Sequence, residues 1–449
     1  MNYSKTASEI LKHVKKDPFD DQPRQDYFEL CRAWFAEWEA ASRKKMFHQY
    51  QITGATNKVG KYTEFNHPAQ LHNRKDFRPL LTTALQRAVE NRDWAAAERL
   101  DSMLFKSLLF GAPHFFEDYL NAVEYGKPYD KRFYAPRQHY LHRYTQAYQE
   151  VLEGKLHFLS VSMPKRAGKS QMGINFVNML SGRKPNHSTL MEGTGDDLVQ
   201  SFYKGCLEYL DAESEYHFYD IFPNAKLVQT YADRKTFNLD KKSRFPTVMC
   251  RSIDARQVGL SEATNLLYLD DCVEGREEAK NRQRLDDKWE VISGDIIGRA
   301  IEGTPIVICG TRYSLYDPIG RLQETARKSG WKWKAIETPA LDPVTDETNF
   351  EYMRDGKPVF TTAFFREQRE ILCAEQWESE FQQQPFEAKG LLFNKDELNY
   401  FFELPVGKEP DTVFAACDTA DKGADFTSMP IVAIYDQEAY LIDVVFDDA

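Results

Sequence analysis

A lysine followed by a serine, set between a β-forming run and a helical run, is the first place in this sequence where chemistry is suggested. Residues 159–170 read Leu-Ser-Val-Ser-Met-Pro-Lys-Arg-Ala-Gly-Lys-Ser, and Met172, Phe176, Val177 and Leu180 follow as an apolar series. A strand, a turn and a helix in that order offer backbone N–H groups to a phosphate, because the first amides of a helix have no partner within it. Arg166, Ala167 and Gly168 would form the cradle. Lys169 would reach the β- and γ-phosphate oxygens of ATP, and the Ser170 hydroxyl would bind Mg2+. The usual loop opens with Gly, and Met163 stands in that place. Arg166 has two readings, a phosphate contact or a solvated side chain.

Such a loop needs carboxylates at the end of a neighbouring strand to hold the metal and orient the attacking water. Residues 265–271, Asn-Leu-Leu-Tyr-Leu-Asp-Asp, supply an apolar strand ending in two of them. Asp270 would enter the Mg2+ shell and Asp271 would orient the water. A third run, 304–312, is Thr-Pro-Ile-Val-Ile-Cys-Gly-Thr-Arg, and its Thr311 hydroxyl would sense the γ-phosphate. Taken singly, each run is also what an ordinary strand end looks like.

The elements that must position these groups follow from texture. Residues 1–130 read as a helical N-terminal region, with Trp34 and Trp38 four apart. A stripe of Leu81, Leu85, Ala88 and Val89 continues more loosely through Trp94, Ala97, Leu104, Leu108 and Leu109. Residues 51–79, richer in Gly, Asn, His and Pro, are expected to loop. From 131 to 345 short apolar strands (158–163, 265–269, 305–309) alternate with helical stretches, the pattern of an α/β domain with a largely parallel sheet. Residues 346–405 read as a linker or subdomain that is helical and polar over 361–384. In 406–449 three strand-like runs (413–417, 431–435, 440–446) suggest a meander.

Composition narrows the classes. The 449 residues exceed one core, and no stretch approaches the ~20 apolar residues that cross a bilayer. The first residues carry no apolar run of a signal peptide. The 7 cysteines are scattered without a C-x-x-C pair, which fits a reducing compartment rather than a disulfide or zinc framework. A net charge of −11 argues against indiscriminate coating of nucleic acid, and leaves a local basic groove open. The basic clusters 43–45, 241–244 and 328–334 each have a solvated surface as the plainer reading.

Over 130–449 the sequence resembles the large terminase subunit of tailed bacteriophages. The resemblance is carried by Pro164–Ser170, by Asp270-Asp271-Cys272, and by Glu277-Glu278-Ala279. Gly310-Thr311-Arg312-Tyr313 and 381–385 followed by 390–393 add to it in the expected order. It implies a RecA/ASCE-like P-loop ATPase that drives double-stranded DNA into a procapsid, with Gln138 in the segment that recognises adenine. It further implies a homo-oligomeric ring, a pentamer on the portal, a small terminase subunit as partner, and a neighbour's arginine completing each site. Arg256 and Arg299 are the candidates for that arginine. The implied place is the host cytoplasm, with transient docking on the procapsid.

The resemblance also implies that 406–449 begins an RNase H-like nuclease domain, with Asp418 as its first metal ligand and Asp425 on the following hairpin. Two-metal cleavage needs further carboxylates, which Asp443 and Asp447 are not expected to replace. The expectation is ATP hydrolysis without DNA cleavage by this chain alone, the sequence being either a fragment or one of two chains that share the nuclease. Two other functions stay open: a helicase-like remodeller, and a capsid or portal adaptor whose altered loop no longer binds ATP.

Overall fold

In a computed structural model of the chain, the described residues are 2–53, 62–255, 261–385, 401, 403–417, 427–436 and 438–447, with backbone alone for 43–53, 427, 446 and 447. They fall into two compact units, residues 1–387 and 388–449, so the boundary lies inside the stretch read as a linker.

The centre of the first unit is a sheet of eight strands. They are β1 (Phe158–Ser162), β2 (Thr189–Gly193), β3 (Leu227–Tyr231), β4 (Thr236–Leu239), β5 (Val248–Ser252), β6 (Leu266–Asp270), β7 (Ile306–Gly310) and β8 (Trp333–Glu337). Their spatial order is β3-β4-β5-β2-β6-β7-β1-β8. From β5 to β8 every pair is parallel, and β3 and β4 add an antiparallel edge. Strands β1, β2, β6 and β7 are buried along their whole length; β6 and β7 read as continuous apolar runs up to their ends, while β1 and β2 also bury Ser160, Ser162, Thr189 and Glu192. The fold class is α/β, as expected, with a helical N-terminal region. One strand, β7, stands between β1, which precedes the Gly168-Lys169-Ser170 turn, and β6, which ends in Asp270.

Two apolar cores flank the sheet, and strand alternation decides which residues serve each. Leu267 and Leu269 of β6 join Ile306 and Ile308 of β7 on one face. Leu266 and Tyr268 join Val307, Cys309, Leu159 and Val161 on the other. Asp270 is in step with Leu266 and Tyr268, so its side chain belongs to the face that carries the helix after β1.

The helices are α1 (Tyr3–Lys16), α2 (Asp21–Thr53), α3 (Pro68–Leu71), α4 (Arg78–Glu90), α5 (Trp94–Gly111), α6 (Phe116–Val123), α7 (Gln138–Leu152), α8 (Lys169–Arg183), α9 (Asp196–Glu208), α10 (Phe218–Ile221), α11 (Arg276–Lys280), α12 (Arg282–Glu290), α13 (Pro318–Lys328) and α14 (Thr362–Ile371). The first five build a separate apolar core from Tyr27, Phe28, Phe35, Phe77, Leu81 and Leu100, among others.

The loop expected at 51–79 is corrected over most of its described length: α2 runs to Thr53, and helix resumes at Pro68, continuing through a π-turn at His72–Phe77 into α4. The His67 ring accepts from the Ala69 N–H, and Pro68 takes the first helical position where a missing N–H costs nothing. Two polar residues of the segment are buried and paired. Asn73 Nδ2 donates to the Ser107 carbonyl at 3.0 Å, and Gln70 Nε2 to the Phe110 carbonyl at 3.1 Å. Val89 and Trp94 leave the expected stripe and are exposed: α4 buries Leu81, Ala84 and Ala88, and α5, which opens on Trp94, buries Ala96, Ala97 and Leu100.

The second unit holds an antiparallel meander, as its runs suggested. Its strands are β11 (Thr412–Ala415), β12 (Thr427–Tyr435) and β13 (Glu438–Asp447), numbered after the small hairpin β9 (Tyr352–Arg354) and β10 (Lys357–Val359) of the first unit.

Candidate nucleotide site

The loop between β1 and α8 is shaped by two residues in the left-handed region, Arg166 at φ 65° and Gly168 at φ 112°. Gly168 is also the N-cap of α8 and offers no side chain, so the opening amides of the helix are left for an incoming group. The Phe133 ring closes over Gly168, with Cε2 3.0 Å from where a β-carbon would lie. The Tyr140 hydroxyl donates to the Ala167 carbonyl at 3.2 Å. Arg166 is exposed and has no side-chain partner among the described residues.

Met163, the departure from the usual loop, is fully buried in the core on the α8 side of the sheet. Its carbonyl accepts from Lys169 Nζ at 3.0 Å, and the Pro164 carbonyl does so at 3.3 Å. The third partner of the buried Lys169 ammonium is the Thr311 hydroxyl, at 3.1 Å. Lysine and threonine, 142 residues apart, therefore meet across the ends of β1 and β7.

Asp270 and Asp271 complete the cluster from β6. Asp270 is wholly buried, and Cys309 Sγ donates to its Oδ1 at 3.1 Å across the β6–β7 register pair. Its Oδ2 is buried with no hydrogen-bond partner. Burial first, and then the neighbouring Asp271 charge, push this carboxyl up to about 7, against the pull of Cys309, Ser170 and Lys169. Asp271 sits at φ 42°, a strained conformation for a residue with a side chain. Its Oδ1 accepts from the Thr311 N–H at 3.1 Å. The helix that carries Lys169 and Ser170 can lie this close to β6 because residue 173 is Gly: a β-carbon there would lie 2.0 Å from the Tyr268 hydroxyl.

Further groups surround the site: Glu278, Arg312 and Gln383 stand in stretches that carried the resemblance, while Glu380, Lys288 and Thr194 stand in none. Glu380, 3% exposed, pairs with the loop lysine Lys165 at 2.8 Å and with Arg276 at 3.3 Å. Gln383 accepts from the Arg312 N–H at 3.3 Å and donates to the Glu380 carbonyl at 2.6 Å. The buried Lys288 pairs with Glu278 at 2.6 Å and donates to the Thr194 hydroxyl at 3.2 Å, while the Thr194 N–H donates to the Asp271 carbonyl at 3.3 Å. Arg312 is likewise buried, between Asp317 and Glu337, whose carboxylates hold it charged. Cys309 was legible only as part of an apolar strand.

Of the other expected residues, two have hydrogen-bond partners and the rest lie outside the described residues. Gln138 donates to Glu117 at 3.2 Å, beside Tyr134 and His142 on the same carboxylate. Arg299 follows a π-turn, and its Nε donates to the Asp295 carbonyl at 3.2 Å. Arg256, Asp418 and Asp425 lie outside the described residues, as does the 390–393 segment. Asp443 is on β13, opposite Ile431. Among the described residues no three His, Cys, Asp or Glu side chains group as a metal cage, and no helix is long and apolar enough to cross a membrane.

No protein-family description matches the chain, and no curated protein does. Solved structures with detectable similarity include a mutant large terminase ATPase domain from a Thermus phage, at 12% identity and a TM-score of 0.36, covering 53% of this chain and 93% of that one. The large terminase of bacteriophage HK97 matches at 11% identity and a TM-score of 0.38, over 67% of this chain and 62% of its own. A large terminase from a thermophilic bacteriophage, in complex with ATP-γ-S, matches at 10% identity and a TM-score of 0.31, over 65% and 63%. Similarity at this level assigns neither an activity nor a residue to this chain.

Proposed function

We propose that this chain binds and hydrolyses ATP at the β1–α8 loop and works as a DNA-packaging motor of the large terminase kind. The observation that carries the hydrolytic part is the meeting of Lys169, Thr311, Asp271 and Asp270 at the carboxyl ends of three adjacent parallel strands. Open α/β sheets bind ligands at that edge. The loop amides and Lys169 hold the phosphates, and the Thr311 hydroxyl, now on Lys169, is within reach of the γ-phosphate's place. Asp271 faces the same point with one oxygen on the Thr311 amide and the other available to orient a water.

The residues fit a bound Mg2+. Asp270 presents a buried oxygen that no protein donor satisfies, and Ser170 stands beside it. One carboxylate and one hydroxyl are few protein ligands, which suits a cation that keeps waters and takes its remaining oxygens from substrate phosphates. When bound, the cation neutralises charge developing on the phosphate oxygens.

Mg2+-dependent phosphate release from ATP by the purified chain, lost in Lys169→Ala, is the expected result. A folded wild-type protein that neither binds nor hydrolyses ATP with Mg2+ would refute the reading and leave the adaptor function. The motor part rests on the sequence resemblance. It proposes double-stranded DNA, a portal-bearing procapsid and a small terminase subunit as partners, and a ring whose neighbouring subunit inserts Arg256 or Arg299. Mixing Arg256→Ala or Arg299→Ala subunits with Lys169→Ala subunits should then restore part of the ATPase, and no recovery with either arginine would remove both from that role.

A further inference from the structure

We infer that Lys288 is a positioning residue for hydrolysis, holding Asp271 through Thr194 in the backbone conformation from which its carboxylate faces the attacking water. The inference rests on Asp271 orienting that water, as proposed above. Lys288 lies on α12 with its side chain 5% exposed. The partners of its ammonium come from three separate stretches: Thr194 after β2, Asp254 after β5 and Glu278 on α11.

Asp271 leaves β6 at φ 42°, a conformation that a residue with a side chain keeps only where its surroundings hold the main chain. On one side its N–H donates to the Cys309 carbonyl of β7 at 2.8 Å. On the other its carbonyl accepts from the Thr194 N–H at 3.3 Å. Thr194 and Asp271 are the residues that follow Gly193 and Asp270, which face each other across β2 and β6. The strands come this close because residue 193 is Gly: a β-carbon there would lie 2.9 Å from the Asp270 carbonyl oxygen. Asp271 is thus held from the β2 side by the Thr194 amide, and whatever fixes Thr194 fixes Asp271.

The Thr194 hydroxyl accepts from Lys288 Nζ at 3.2 Å and donates to Asp254 at 3.4 Å. The same ammonium pairs with Glu278 at 2.6 Å and with Asp254 at 3.5 Å. The other oxygen of Glu278 accepts from the Glu274 N–H at 2.6 Å. One buried cation therefore holds both ends of the stretch that follows β6: Asp271 through Thr194, and Glu274 through Glu278. Packing alone does not call for a lysine here. The buried Leu285 anchors α12, and Trp289 packs against the same core. An apolar residue at 288 would be buried at no greater cost, since a buried ion pair is often no more stable than well-packed apolar side chains. What the ammonium adds is direction, with three acceptors fixed about one point.

The test sets ATP hydrolysis by the full chain with Mg2+ beside ATP binding and melting temperature. Lys288→Met should lower kcat roughly tenfold, the scale of a lost partner behind a reacting group, and leave the Kd for ATP unchanged within about twofold. Thr194→Val keeps the Lys288–Glu278 pair and the Thr194 amide and removes only the hydroxyl between Lys288 and the backbone. It should lower kcat in the same direction, and it decides the matter if the methionine variant does not fold. Lys288→Arg keeps the charge and should retain most of the turnover. On an Asp271→Asn background, followed by single-turnover hydrolysis with enzyme in excess, Lys288→Met should add little, because both changes remove one function. Unchanged kcat in folded Lys288→Met and Thr194→Val, a loss of ATP binding equal to the loss of kcat, or a full further loss on the Asp271→Asn background would overturn the role of Lys288. A wild-type chain that does not hydrolyse ATP, or an Asp271→Asn variant as fast as wild type, would instead overturn the reading of the site, and this one with it.

Discussion

At the residue scale the site keeps a carboxylate where water would not. Asp270 titrates near 3.9 in an unfolded chain and about 7 in the fold, raised by burial and then by Asp271. The fold thus prefers the neutral acid. Its contribution to stability is full below about pH 4 and is lost as pH rises to about 7. Asp270→Asn removes that loss. It should melt above wild type at pH 8 in EDTA, with the gap shrinking toward pH 4, while ATP hydrolysis disappears. A lower melting temperature than wild type at pH 8 would show that the charge is not what strains the site. Met163 supports a second prediction. Its side chain is core and its carbonyl takes Lys169, so Met163→Gly restores the usual loop pattern at the expense of a cavity. A loss of about 2–5 kcal/mol on denaturant unfolding is expected, with no gain in turnover. Lys169, Ser170, Asp270, Asp271 and Thr311 were legible because each ends a strand or starts a helix with a residue type that burial alone would not choose. Cys309 and Glu380 were not, since a thiol in an apolar strand and a glutamate in a polar helix look ordinary until their partners are known.

At the element scale the linker is part of the site. The π-turn Trp377–Phe381 carries Glu380 onto Lys165 of the loop and Arg276, and Gln383 takes the amide of Arg312 just beyond Thr311. One short segment therefore touches the stretches that follow both β1 and β7, which carry Lys169 and Thr311. Glu380→Gln keeps the shape and removes the charge that holds Lys165. Turnover of ATP should fall roughly tenfold through a displaced loop, with a melting temperature only slightly changed. Unaltered turnover would make the contact structural. The polar run 361–384 was read from sequence as a linker, because the value of a buried carboxylate lies in distant cations that no local pattern displays. The segment 51–79 misled in part for the same reason: Asn73 and Gln70 are paired with the far carbonyls of Ser107 and Phe110. Strand positions were easier, because runs such as 305–309 are apolar on both faces and short.

At the scale of the whole molecule, the first unit has a helical core and a sheet core, and among the links between them, such as the Arg183–Glu64 pair, one is a buried charge. Asp118 of α6, 1% exposed, accepts from Arg78 at 2.6 and 2.9 Å and from Arg74 at 3.1 Å, and both arginines belong to the helical region. The aspartate fits because residue 111 is Gly: a β-carbon there would lie 1.9 Å from Asp118 Oδ2. Arg74 also lies 3.9 Å from the Phe115 ring centre, so the guanidinium is held from two directions. Removing the carboxylate leaves two largely desolvated cations facing each other, a change that costs about 3–5 kcal/mol when one partner of a buried pair is lost. The two cores have their own apolar contents, Tyr27 to Leu100 in one and the residues around β1, β6 and α8 in the other. Loss of the link should therefore appear as lost cooperativity as well as lost stability. Asp118→Ala is expected to unfold in two steps, with helical signal lost first and the Lys169-dependent ATPase surviving the first step. Calorimetry alongside activity at each temperature would check this, and a single transition carrying both signals would mean that apolar contact between the cores, rather than the ion pair, makes them one unit.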